Sequence, residues 1–378
     1  MSRVLVISFS DLGRDARVDR QIGFLLERHE VVAAGLAPSR HAVDFVDLAL
    51  PPATGLRRRT NQALLAARLA ARRRAGAYWG VPLHSTAATR LGDTRADLVL
   101  VNDVEALPLG MRVAGGAPVL FDAHEWAIAQ YEHIAWWRLL GRPQADALLR
   151  AHLPHVAGMM TVAPGIAELY ERRYGVRCAV VTNAAPWADL EPSPVGHPIR
   201  LLHHGAANPV RRLELMIEAA GRVGAGVTLD LALLRNDPAY LAKLEALAAA
   251  APNVRVLEPI ALPELVTAAN AYDAGIVFFP PLTANLEHAL PNKFFDLIQA
   301  RVAIVTGPSP EMAGIVREFD AGVVADGFTV DALVAALRQL TPERIAAMKA
   351  GAGRAAAVHN AERNRDTLLG LAEEALAR

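Results

Sequence analysis

Residues 290–307 read LPNKFFDLIQARVAIVTG. A proline turn and a lysine open a helical stretch in which Phe294, Phe295, Leu297 and Ile298 are apolar, and the run 302–307 that follows has the composition of a buried strand. One carboxylate, Asp296, sits among these side chains. A carboxylate on the apolar side of a helix is costly unless it is capped, paired or holding a ligand. An i,i+3 pair with Lys293 returns only about 0.2–0.5 kcal/mol, too little to explain it.

The same alternation of short β-branched runs with longer helical patterns extends along the chain. Strands are expected at 3–9, 30–36, 97–102, 117–123 and 158–163, then at 178–183, 199–205, 227–234, 254–259, 274–279 and 302–307. Strands alternating with helices specify parallel sheets joined by crossover helices, so each half reads as an α/β, doubly wound, Rossmann-like domain. Between them, Pro186, Pro192, Pro194 and Pro198 interrupt regular structure. The expected organisation is a first domain over 1–185, a Pro-rich linker over 186–198, a second domain over 199–360, and an amphipathic helix over 361–378 that folds back on the first domain.

The chain has 378 residues, 53% of them hydrophobic, enough for two cores. Lys+Arg and Asp+Glu are both 39, so net charge gives no indication of nucleic acid. The single cysteine, Cys178, excludes an internal disulfide framework and fits a reducing, cytoplasmic setting. No apolar run approaches the roughly 18–20 residues that cross a bilayer.

Open parallel sheets bind ligands beyond the carboxyl ends of their strands. After the strand at 199–205 comes a small-residue loop with Gly205 and Asn208, then a helix expected to carry Arg211 and Arg212 in its first turn. Helix-start amides with guanidinium groups suit phosphates; an ordinary turn with surface arginines is the plainer alternative. Beyond the strand at 274–279 lie Glu287, His288, Pro291, Asn292, Lys293 and Asp296, of which Lys293 adds a cation and Asp296 an acceptor for ribose-like hydroxyls. In the first half, the loop after the first strand supplies Gly13, Arg14, Asp15 and Arg17, with an N-cap by Asp11 or Asp15 as the alternative. The run VLFDAHEW ends a strand with Asp122, His124 and Glu125, a cluster that could act as acid and base, and VNDVEALP adds Asp103. A metal is not expected, since no second histidine at helical spacing and no cysteine pair accompany it.

In the order of GAANPVRRLELMIEAA, AYDAGIVFFPP and LPNKFFDLIQARVAIVTG, and in DARVDRQIGFLLERHEVVAAGL, DAHEW and GMMTVAPGIAELYERRYGV, the chain resembles GT-B glycosyltransferases, in particular the retaining, GT4-like group of bacterial surface-glycan enzymes. The resemblance implies two Rossmann-like domains facing a central cleft, an acceptor domain first and a donor domain second. It implies sugar transfer from a nucleoside-diphosphate sugar to an acceptor hydroxyl on a glycan, a lipid-linked acceptor or a small molecule, with no cofactor required. By the same resemblance Arg211 contacts the donor diphosphate, Asp296 holds the ribose as second acid of a two-acid motif, and His124 and Glu125 line the cleft. The motif's first acid, eight residues earlier, is here His288, with Glu287 one place further away, and the arginine that usually follows the glycine is Ala206. A sugar-nucleotide epimerase of the same architecture and an inactive nucleotide-binding partner subunit remain open.

Between Thr54 and Gly92 stand eight arginines and no acid. The segment from Arg57 to Arg74 either lies on anionic lipid at the inner face of the cell membrane, with Trp79, Trp126, Trp136 and Trp137 as anchors, or forms a solvated helix.

Overall fold

The computed structural model describes residues 1–52, 54–132 and 134–378, without the side chains of 56 and 57. The chain packs as two compact units, Met1–Val181 with Arg365–Arg378, and Thr182–Asn364.

The first unit is built on β1 (Arg3–Ile7), β2 (Glu30–Gly35), β3 (Asp44–Asp47), β4 (Leu98–Asn102), β5 (Val119–Asp122), β6 (Gly158–Thr161) and β7 (Ala179–Val180). They form a parallel sheet in the order β3-β2-β1-β4-β5-β6-β7. Val4, Leu5, Val6 and Ile7 of β1 are all fully buried, because helices cover both faces of a parallel sheet and the strand must be apolar on both sides. The helix Ala16–Leu26 leads from β1 to β2, the helix Asp103–Val113 from β4 to β5. The last helix, Ala361–Leu376, turns Leu368, Leu369, Ala372 and Ala375 into this core beside Val4, Val6 and Leu98.

The second unit carries β8 (Ile199–Ala206), β9 (Val227–Leu234), β10 (Val254–Leu257), β11 (Ala274–Val277), β12 (Ala303–Thr306) and β13 (Gly322–Val324). Their order is β10-β9-β8-β11-β12-β13, again parallel throughout. Phe278, Leu213, Met216 and Ile276 belong to one buried apolar cluster of this unit.

Two short strands escaped the sequence. The edge strand β3 reads DFVD and keeps both aspartates exposed, and β13 has only three residues. An edge strand needs one partner and little apolar surface, so it leaves a weak pattern. The run at 178–183, grouped with the second half from sequence, instead gives β7, paired to β6 through Met160 and Ala179. The Pro-rich segment has no regular structure but belongs to the second unit. Ser193 Oγ donates to the carbonyl of Asn270 and accepts from Lys349 Nζ at 2.9 Å, and the Gly196 amide donates to Asp273 at 3.0 Å.

Candidate functional site

Strand order reverses between β1 and β4 in the first unit and between β8 and β11 in the second. Such switch points open a crevice at the carboxyl ends of the strands, and the singled-out residues collect at these two places.

In the second unit the loop after β8 is drawn tight. Gly205 has φ +119°, and a Cβ there would stand 2.9 Å from Lys293 Nζ, so only glycine admits the lysine. The Ala207 amide donates to Asn236 Oδ1 at 3.0 Å, and Asn208 accepts from the Val210 amide at 3.0 Å. Arg211 and Arg212 do not lie in the first turn of the following helix as expected. Pro209–Arg211 is a single 3-10 turn, Arg212 is left-handed at φ 53°, and the helix begins at Glu214. Arg212 is turned to Glu214 at 3.5 Å, whereas the Arg211 guanidinium lies over the Phe279 ring, 5.6 Å from its centroid.

The helix Asn292–Gln299 brings its first turn against the end of β8. Lys293 is buried, with Nζ 3.0 Å from His203 Nε2, and His203 Nδ1 pairs with the Ile276 carbonyl at 2.7 Å. Burial above all, and then the nearby Arg211, drives the Lys293 amine well below its ordinary value, against the pull of Asp296. Lys293 is therefore not the exposed phosphate cation suggested by its place in the sequence. Asp296, one turn on, is half-buried and faces His204 Nε2 at 3.8 Å. Burial, helped by Lys293, pushes His204 down to about 3, so its ring is neutral. Glu287 is exposed, and His288 Nδ1 pairs with the buried Glu311 at 2.9 Å. Pro291 caps the helix start and Asn292 is exposed beside it.

In the first unit, β4 and β5 end side by side in Asn102 and Asp122. Asp122 is fully buried and clamped by Arg17, Nε to Oδ2 at 2.7 Å and Nη2 to Oδ1 at 2.9 Å, with Gln21 donating to the same carboxylate. Arg17 also donates to the Val181 carbonyl at 2.6 Å. Arg17 thus braces the sheet end from inside. Asp15 caps the helix through the Arg17 and Val18 amides, Arg14 is exposed and pairs loosely with Asp11 at 3.6 Å, and Gly13 approaches the Pro38 carbonyl.

His124 stands at the centre of this end. Its Nε2 pairs with Asn102 Oδ1 at 3.0 Å, and Nδ1 lies 3.6 Å from Asp103 Oδ2. Both His124 and Asp103 hold positive φ, 53° and 67°, outside glycine's usual company. Two such residues in contact concentrate backbone strain where side chains must be aimed. Desolvation, reinforced by Asp122 and Glu105 and opposed by His124, raises the Asp103 carboxyl to about 6, a value suited to proton exchange near neutrality. Glu125 is exposed; its carbonyl accepts from Tyr170 Oη at 3.0 Å, which fixes the backbone and leaves the carboxylate outward.

Sequence reasoning missed His203, His204, Glu311 and the clamping role of Arg17. A signal existed for the histidines: two adjacent polar residues closing the apolar run Ile199–Ala206. Of the tryptophans named as anchors, Trp126 and Trp137 are buried and Trp79 lies under Arg112 at 4.7 Å, leaving Trp136, 55% exposed. Among the described residues no helix is long and apolar enough to cross a membrane, and no group of three metal-ligating side chains occurs.

No protein-family model matches the chain, and no curated protein matches its sequence significantly. Solved structures do match. The Anabaena protein Alr3699/HepE, solved with UDP and glucose, is similar over 99% of this chain and 100% of that one, with a TM-score of 0.72 at 14% identity. Sucrose-phosphate synthase from Thermosynechococcus elongatus matches over 99% of both chains, with a TM-score of 0.69 at 15% identity. A trehalose 6-phosphate synthase from Burkholderia multivorans matches over 100% of this chain and 99% of that one, with a TM-score of 0.67 at 13% identity. The chain has the GT-B fold of these proteins along its whole length.

Proposed function

We propose that this protein is a glycosyltransferase that moves a sugar from a nucleoside-diphosphate sugar to an acceptor hydroxyl. The observation that carries the reading is the end of β8 and β11, where Arg211, the Gly205–Asn208 loop, the start of the helix Asn292–Gln299 and the Asp296 carboxylate gather at one switch point. Arg211 and the loop amides offset charge that builds on a departing diphosphate, which needs no metal in principle. Asp296 accepts from neutral hydroxyls. The fold shared with structures solved with UDP and glucose supports this assignment.

In the first unit, His124 and Asp103 form the pair for proton handling, held by Asn102 and by the Arg17–Asp122 clamp. A glycan, lipid-linked or small-molecule acceptor and retention at the anomeric carbon belong to the same proposal and rest on the sequence resemblance. A second reading, a nucleotide-binding subunit without turnover, is favoured by one observation: His288 occupies the place of an acid and is already engaged by Glu311. Incubation with UDP-, GDP- and ADP-glucose and with mixed acceptors separates the two. Sugar release or transfer supports the enzyme, and nucleotide binding without either supports the subunit.

The same proposal places the chain on the inner face of an anionic membrane. The support is the exposure of Arg58, Arg59, Arg72 and Arg73, and of Trp136 and Leu139, the latter pair 55% and 74% exposed. Flotation with vesicles containing anionic lipid, and none with neutral vesicles, is the expected result; no flotation with either removes the membrane.

A further inference from the structure

We infer that His84 is an acceptor-binding residue of the first unit, taking on its Nε2 a hydrogen bond from an uncharged hydroxyl of the acceptor; this rests on the transferase reading above. The His84 ring is held between two others. It stacks on Tyr78 with centroids 4.1 Å and planes 24° apart, and on Phe9 at 5.1 Å and 28°. Among the described residues Phe9 and Tyr78 make no ring contact with each other, so they cover opposite faces of the imidazole. Only its edge is left to meet a ligand. The stack lies at the switch point of this unit. Phe9 stands two residues beyond β1, and the Tyr78 hydroxyl donates to the Glu105 carbonyl at 2.6 Å, in the first turn of the helix that leaves β4. The rings thus bridge the two strands where the order reverses and a crevice opens.

The partner of Nδ1 decides what the edge offers. Nδ1 lies 3.0 Å from the Tyr78 carbonyl. A carbonyl only accepts, so Nδ1 carries the ring proton and Nε2 of the neutral ring is a bare acceptor. Burial lowers the affinity of His84 for a second proton, which keeps the ring neutral. His84 is partly exposed, and its Nε2 is neither sealed from solvent nor hydrogen-bonded among the described residues. Such a nitrogen takes one proton donor, in the plane of the ring. Of the groups a glycosyl acceptor carries, a hydroxyl supplies one, whereas an ionised phosphate or carboxylate has no proton to give. The hydroxyl keeps its proton, so His84 holds the acceptor without entering the transfer step.

The test is transfer from UDP-, GDP- and ADP-glucose to the octyl glycosides of glucose, mannose and galactose, by the parent and two variants. His84→Asn keeps a donor for the Tyr78 carbonyl and removes the acceptor at the Nε2 position; His84→Gln can return an amide oxygen to that position. The glycoside KM should rise about five- to tenfold in His84→Asn and fall back to within about threefold of the parent in His84→Gln, with kcat and the donor KM unchanged. An unchanged glycoside KM in folded His84→Asn overturns the role of His84 and leaves the transferase standing. An equal rise in both variants, or a matching rise in the donor KM, makes the ring stack a brace only and overturns it too. So does a parent that releases sugar from a donor but transfers it to none of the glycosides. If His84→Asn does not fold, diethyl pyrocarbonate, which carbethoxylates an accessible unprotonated imidazole, is applied to the parent and read by peptide mass. His84 should be modified, and more slowly with the glycoside present; no modification, or no protection, overturns the inference. Neither release nor transfer from any donor overturns the transferase reading and this inference together.

Discussion

Arg17 and Asp122, 105 positions apart, form a two-pronged ion pair at the carboxyl end of β5, with contacts of 2.7 and 2.9 Å and both side chains buried. The first strand's helix is thereby locked to the strand end that presents His124, whose amide donates to Asp122 Oδ1 at 3.2 Å.

Removing one partner strands the other charge out of water. Arg17→Ala and Asp122→Ala should each destabilise the protein by about 3–5 kcal/mol in urea unfolding, and the double variant by less than their sum. Losses under about 1 kcal/mol would show the clamp to be incidental.

The pair also sets an acid limit. Burial alone would raise the Asp122 carboxyl, but Arg17 and His124 outweigh it and hold it below the ordinary value. Its stability contribution is therefore present above about pH 4 and lost as pH falls through the depressed folded value. Asp122→Asn should unfold with a shallower acid dependence than the parent; parallel curves would contradict this.

Asp103 carries the opposite sign. Its carboxyl, raised to about 6 by desolvation, binds a proton more readily folded than unfolded, so it favours the folded state at low pH and loses that advantage as pH rises through about 6. Relative to the parent, Asp103→Asn should gain stability between pH 4 and pH 7, measured by thermal melts across that range. A constant difference would mean Asp103 titrates normally.

Gly205→Ala would bring a Cβ to 2.9 Å from Lys293 Nζ at a φ of +119°. The strain should cost about 1–3 kcal/mol and weaken nucleotide binding, since Lys293 must leave His203. A variant as stable as the parent would mean the loop relaxes freely.

Much of this was legible in the chain. Apolar runs such as Val4–Ile7 and Val302–Val305 announce strands covered on both faces, and Asp296 stood out because nothing near it in sequence could repay its burial. Other features were hidden because they depend on partners distant in sequence. Nothing local says that Arg17 meets Asp122, that Lys293 turns inward to His203 rather than out to solvent, or that Glu311 reaches His288. Arg211 was misplaced on a helix because Pro209 and the left-handed Arg212 delay its start, a choice made by backbone geometry.

The central claim is that the switch point of the second unit takes a nucleoside diphosphate through Asp296 and Arg211. The most direct test is the melting temperature of the parent, Asp296→Ala and Arg211→Ala with UDP, GDP and ADP, and with the matching nucleosides, at saturation. A ligand near 100 times its dissociation constant adds about 2.7 kcal/mol, which for a unit near 200 residues amounts to a shift of about 5–11 °C. The account predicts such a shift for at least one nucleotide in the parent, its loss in Asp296→Ala, and in Arg211→Ala a greater loss for the diphosphate than for the nucleoside. A full shift retained in Asp296→Ala, or none in the parent, would contradict it.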